Sequence, residues 1–185
     1  MVSTPDNMDS GIGTKEIGLD RDVFFRTMLR ELSGTIVAVV GAEEAAGYVA
    51  VVGGTMGDWI NRLYHEELGP ADFDMETLAE IFIDLKRRLD GGFYVRSIGE
   101  DRIVLGNTRC PFGKSVTDRP ALCMMTSNVF GRIGADNFGY ARVGLERTIA
   151  RGDPECEITI EFKPRRGVSP DEKEYYRLPP LKEQA

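Results

Sequence analysis

Apolar residues recur at helical spacing from the start of the interpretable chain. After Asp20, a residue suited to capping a helix, come Phe25, Met28, Leu29, Leu32 and Ile36. The next stretch, "TIVAVVGAEEAAGYVAVVGG", has the beginning of a strand that enters a dinucleotide-binding turn. That turn needs G-x-G-x-x-G, which "GAEEAAG" does not supply. The reading is therefore two helices meeting near Gly41, the second running from Ala42 to about Leu68. Gly53, Gly54 and Gly57 weaken it by up to about 1 kcal/mol each relative to Ala, and suit a place where another backbone packs close.

The clearest helix opens at Asp74. Met75, Leu78, Phe82, Leu85 and Leu89 make one stripe, and Gly91-Gly92 ends it. Two short strands are predicted over 93–98 and 101–106. Asp118 and Pro120 mark a further helix start, with Leu122, Met125, Val129 and Ile133 on one side as far as Ala135. Two more strands follow over 139–149 and 155–162. In the last, Ile158, Ile160 and Phe162 alternate strictly with Glu157, Thr159 and Glu161, giving one core face and one solvent face.

The fold class expected is α+β, with N-terminal helices followed by an antiparallel sheet of about four strands that carries a crossover helix. Residues 1–19 read as a flexible tail and 20–162 as a single domain. In 163–185 Pro and charge dominate, and "PDEKEYY" within it reads as a solvated tail.

Length and charge narrow the function classes. The 185 residues suit one domain with a sizeable core. A net charge of −7 without a basic run argues against direct nucleic-acid binding. The most apolar stretch, 36–56, is interrupted by Glu43 and Glu44, so no membrane span is expected. The first residues lack the basic-then-apolar pattern of a signal peptide. Three cysteines are too few and odd in number for a disulfide scaffold, and a reducing, cytoplasmic setting is the expectation.

The candidate chemistry is centred on those cysteines. Cys110 ends a strand in a Pro-Phe-Gly turn, Cys123 lies in the first turn of a helix, and Cys156 begins a strand. These ends can meet at one edge of a sheet. Three thiolates make three metal ligands, while structural zinc and iron–sulfur clusters want four. A carboxylate, an exogenous molecule or the lone His65 would have to complete the set. The simpler reading is three small buried hydrophobes, since no CxxC pair exists. "FGKS" at 112–115 imitates the end of a phosphate loop, but Thr108 stands where the first Gly is required. Met56, Trp59, Phe82 and Phe93 are the expected lining of an apolar pocket between the second helix, the third helix and the sheet. No Ser-His-Asp set is evident around the single His65.

The segment "NTRCPFG…RPALCMMTSNVFGRIGADNFGYARVGLERTIARGDPECEITIEF" resembles the methanogen output domain family of archaeal and bacterial signalling proteins. The CPFG turn, the P-x-L-C helix start, "VFG", "GYARV" and above all "I-A-x-G-D-x-x-C" carry the likeness. More distantly, the same ending looks like the 4-vinyl-reductase-type small-molecule-binding superfamily. The resemblance implies an α+β ligand-binding domain, often a homodimer through its N-terminal helices, with a small apolar ligand between helices and sheet. In the phenol sensors of that superfamily, zinc is held by Cys residues and a Glu. By motif position Cys123 and Cys156 match two of those ligands. Thr148 replaces a third, and Glu146 is one residue out of register. In many 4-vinyl-reductase-type domains the first turn carries a second Cys, and Gly113 stands there. A metal would therefore need Cys110 as the substitute ligand.

The function expected is a sensory or regulatory domain that binds a small ligand, metal or cofactor near Cys110, Cys123 and Cys156 and signals to a partner protein. Zinc, an iron–sulfur cluster and haem all remain open as cofactors. The alternative is a thiol- or cofactor-dependent oxidoreductase, against which stands the lack of an acid–base constellation beyond Cys and carboxylates.

Overall fold

Asp20 accepts a hydrogen bond from Val23 N at 2.7 Å and so opens α1, Arg21–Val40. Gly41, at φ 85°, breaks the chain between it and α2, Ala42–Leu68. Asp74 caps α3, Met75–Arg88, in the same way through Thr77 N at 2.8 Å. The last turn of α3 is basic, with Lys86, Arg87 and Arg88, as the helix dipole favours. Strands β1, Phe93–Ile98, and β2, Arg102–Asn107, form a hairpin. Then come a 3-10 turn at Gly113–Val116, α4 at Pro120–Phe138, β3 at Tyr140–Arg147, β4 at Cys156–Glu161 and β5 at Glu172–Tyr176. The structure, a computed structural model, describes residues 15–117 and 120–178. Asp118, read from the sequence as part of a helix start, lies outside the described residues, as do 1–14 and 179–185 of the two expected tails.

All five strands pair antiparallel in the order β1-β2-β4-β3-β5. The α+β expectation holds, and the alternation in β4 is as read: Cys156, Ile158 and Ile160 are buried, and Glu157, Thr159 and Glu161 are half-buried. These inward residues join Ile103, Leu105, Val143, Phe82, Phe130 and Ile133 in one core. α4 packs its length between α2 and the sheet. The contact with α2 is made at backbone distance. A Cβ built on Gly53 would sit 2.4 Å from Asn128 Cβ, and one on Gly57 would sit 2.7 Å from Arg132 Cβ. The glycines are thus required by close approach.

One expectation is corrected. The charged segment in the expected C-terminal tail is not solvated chain: residues 172–176 add a fifth strand beside β3. Its Glu174 accepts from Arg142 Nη2 at 2.9 Å and from the Tyr140 hydroxyl at 2.7 Å. Arg142 is 1% exposed, so the pairing supplies a buried guanidinium with a counter-charge. On the other side of β5, Tyr175 lies over Gly131 of α4, and its hydroxyl donates to Asn128 Oδ1 at 2.9 Å. The charge pattern of "EKEYY" hid a strand whose partners are supplied by tertiary contacts.

Candidate functional site

The turn predicted at Cys110 is closed by Gly113 N donating to Cys110 O at 2.9 Å. Gly113 takes φ 56°, in the left-handed region that favours glycine. The following 3-10 turn is held from outside by α1: Arg30 Nη1 donates to the Ser115 and Thr117 carbonyls at 2.7 and 2.8 Å.

Inside this turn, at the end of β2, the start of β4 and the first turns of α4, lies a cavity of about 30 Å³ that opens toward solvent. Its walls are apolar for the most part, with Phe93, Phe112, Leu122, Leu145 and Ile158 among them. Cys110, Cys123 and Cys156 all line it. Asn107, Thr126 and Thr148 add polar atoms. The three chain ends read from the sequence as able to meet therefore bring their cysteines to one cavity.

The sulfurs are not equivalent. Cys156 Sγ accepts from Ile149 N at 3.4 Å and from Asn107 Nδ2 at 3.7 Å. Burial pushes the Cys123 thiol up to about 12, with the neighbouring Cys110 and Cys156 adding to the shift. Burial likewise raises Cys110. Burial thus favours the neutral form of the Cys110 and Cys123 thiols.

The metal expectation is not supported by the donor set. Among the described residues no group of three or more His, Cys, Asp and Glu side chains is placed to hold a metal ion. The position of the third ligand in the resemblance is Thr148, on the cavity wall. His65, a candidate to complete the set, instead stacks on Phe73 at 4.2 Å between ring centroids, with Nδ1 3.0 Å from Gly69 O at the end of α2.

Of the four residues expected to line a pocket, only Phe93 reaches the cavity. Phe82 is wholly buried in the core, 4.3 Å between ring centroids from Phe130. Met56 and Trp59 are exposed on α2, because Ala45, Gly53, Gly57, Ile60 and Asn61 are the residues that this helix buries.

Sequence reasoning missed Lys86. Within "DLKRRLD" it reads as one of three basic residues at a helix end. It is 5% exposed, with its ammonium 2.9 Å from the Thr126 hydroxyl, 4.8 Å from the Phe130 ring centroid and 5.2 Å from that of Phe93. Burial pulls its pKa down to about 8, against the opposing pull of Cys110, Cys123 and Cys156. The signal that could have found it is position: Lys86 lies four residues after Phe82 and one after Leu85, on the buried stripe of α3.

The family model for methanogen output domain 1 matches residues 28–161, well over half of the chain. The chain belongs to that family. The match covers most of α1, the whole of α2, α3 and α4, and the first four strands, with the cavity and its three cysteines. Its boundary precedes β5. Among curated proteins none matches the chain. An output domain is by its description a regulatory or signalling module. No helix among the described residues is long and apolar enough to cross a membrane.

Proposed function

We propose that this methanogen output domain is a ligand-responsive regulatory module whose effector is a small molecule held in the cysteine-lined cavity. The observation that carries the reading is the convergence of all three cysteines, two phenylalanines and Thr126 on one apolar cavity beside a turn that α1 clasps. Small-ligand sites are concave and largely apolar, with a few convergent polar groups. Occupancy would shift the 110–117 turn, and Arg30 would carry that shift into α1.

The output surface in this reading is the outer face of α1 and α2, and its partner is a second copy of the chain. α1 buries only Ser33. Phe24, Phe25, Leu29, Leu32 and, on α2, Val51 and Trp59 are all exposed, Val51 to 71%. Monomeric soluble proteins rarely expose large contiguous apolar surface. The oligomeric state read by the partner protein then becomes the signal. The oxidoreductase alternative needs an accessible thiolate, and the raised pKa of Cys123 and Cys110 favours binding over thiol chemistry.

Native mass spectrometry of freshly purified full-length chain, with its visible spectrum and metal content, tests the reading. A bound small molecule lost on Cys123→Met, which fills the cavity, supports it. A bare chain that also binds nothing across a set of small aromatic and aliphatic probes counts against it. Haem or iron–sulfur absorption would replace the ligand by a cofactor, and stoichiometric zinc would make the cysteines a structural site.

A further inference from the structure

The Lys86 ammonium is nine-tenths buried, yet among the described residues it forms no salt bridge. Its hydrogen bond goes to Thr126 Oγ1, and the faces of Phe93 and Phe130 cover two other sides. Buried cations are ordinarily paired, because removing an ammonium from water without an anion is costly. Aromatic faces compensate in part.

Two of these neighbours belong to the cavity wall: Thr126 and Phe93 both line it. The Thr126 oxygen accepts from Lys86, so its own proton remains to be donated. Among the described residues it makes no other hydrogen bond, and the cavity is the open space beside it. The Asn107 amide donates to Cys156 Sγ, and its Oδ1 accepts from Arg109 N. The cavity thus presents one hydroxyl donor backed by a positive charge, within largely apolar walls.

We infer that the cavity is a site for a small carboxylate with a short apolar body, its head accepting from Thr126 and matched in charge by Lys86. The inference rests on the ligand-binding reading above and names the chemical class of the ligand. The small cavity volume limits the buried part of the ligand to a few heavy atoms. Phe112, Leu122 and Leu145 would surround its apolar end. Lys86 is a positioning residue that acts through the Thr126 hydroxyl as well as through its field.

The full-length chain is titrated with propionate and, separately, with the uncharged isostere propionamide, following the backbone amide resonances of residues 104–112, 122–127 and 156–158. Propionate is expected to shift them saturably and to bind about tenfold or more tightly than propionamide, as befits a charge-assisted hydrogen bond. Lys86→Met should remove the preference for propionate over propionamide, the acid losing about tenfold more affinity than the amide. Thr126→Val, which keeps the ammonium, should give a smaller loss, and it serves as the second variant if Lys86→Met does not fold. Equal binding of acid and amide by the wild type overturns the proposal, as does propionate binding unaltered by either substitution. Propionamide bound without propionate removes the carboxylate and leaves the cavity reading standing. Silence from both overturns this proposal, while the cavity reading is decided by the mass and spectrum of the purified protein.

Discussion

Arg30 of α1 clasps the turn at Ser115: its Nη1 donates to the Ser115 carbonyl at 2.7 Å and to that of Thr117 at 2.8 Å. These bonds tie an exposed helix to the segment that presents Cys110. Arg30→Ala should lower stability by about 1–2 kcal/mol, as expected for lost hydrogen bonds from a charged group at a partly exposed site. Amide hydrogen exchange at 113–117 should accelerate while that of β3 and β4 does not. Exchange unchanged at the turn would show that α1 does not hold it.

Adjacent glycines of α2 should respond in opposite directions. Gly53→Ala places a methyl 2.4 Å from Asn128 Cβ and should cost about 1–3 kcal/mol, the usual range for overpacking. Gly54 has nothing within 4 Å, and Gly54→Ala should stabilise by up to about 1 kcal/mol through helix propensity. Thermal melts of the two variants check the contrast. Stabilisation by Gly53→Ala as well would mean that α2 and α4 are not in contact at Gly53.

The pH dependence of Lys86 can be isolated by difference. The unfolded side chain keeps its proton to its ordinary 10.5, while the folded one loses it at about 8. Below pH 8 both are protonated and the burial penalty is fully present. Between about 8 and 10.5 the unfolded state binds more protons, so stability rises with pH. Wild type should therefore gain on Lys86→Met by roughly 3 kcal/mol across that window, at 1.36 kcal/mol per pKa unit. Cys123, raised from 9.0 to about 12, acts in the opposite direction in both proteins and largely drops out of the difference. Chemical denaturation at pH 7 and pH 10 measures the effect, and a flat difference would place the amine in water.

The self-association reading makes the outer helix face sensitive to charge. Leu32→Glu and Val51→Glu both fall on exposed positions, 52% and 71% accessible, so neither disturbs the core. Each should convert a dimer to a monomer in light scattering at micromolar concentration, with circular dichroism unchanged. A wild-type chain already monomeric there would remove the reading.

Much of the architecture was legible because local and tertiary demands agree. Asp74, the stripe through Phe82 and Leu85, and Gly91 specify α3 from within, and β4 announces its two faces by alternation. β5 could not be read this way. Its Glu174 is placed by Arg142 and its Tyr175 by Asn128, both far away in sequence. Cys110, Cys123 and Cys156 were legible as elements' ends that can converge. Helical spacing gives a face but not its direction: Gly53 and Gly57 face α4, while Met56 and Trp59 are exposed. Lys86 was hidden in a basic helix end whose neighbours Arg87 and Arg88 both project to solvent, with side chains 77% and 70% exposed.

The glycine contact between α2 and α4 also has a mechanical side. At Gly53 and Gly57 α2 contributes no side chain, and the first atoms of Asn128 and Arg132 on α4 rest against its bare backbone, a close-packed crossing with little room to give. α2 has 27 residues and is about 40 Å long at 1.5 Å per residue, and the crossing lies near its middle. A tilt of about 5° at that crossing swings either end by roughly 1.5–2 Å, given that rise. α4, whose first turns wall the cavity, crosses α2 at that point, so any tilt of the crossing would be read at the ends of α2 in proportion to their distance from Gly53 and Gly57.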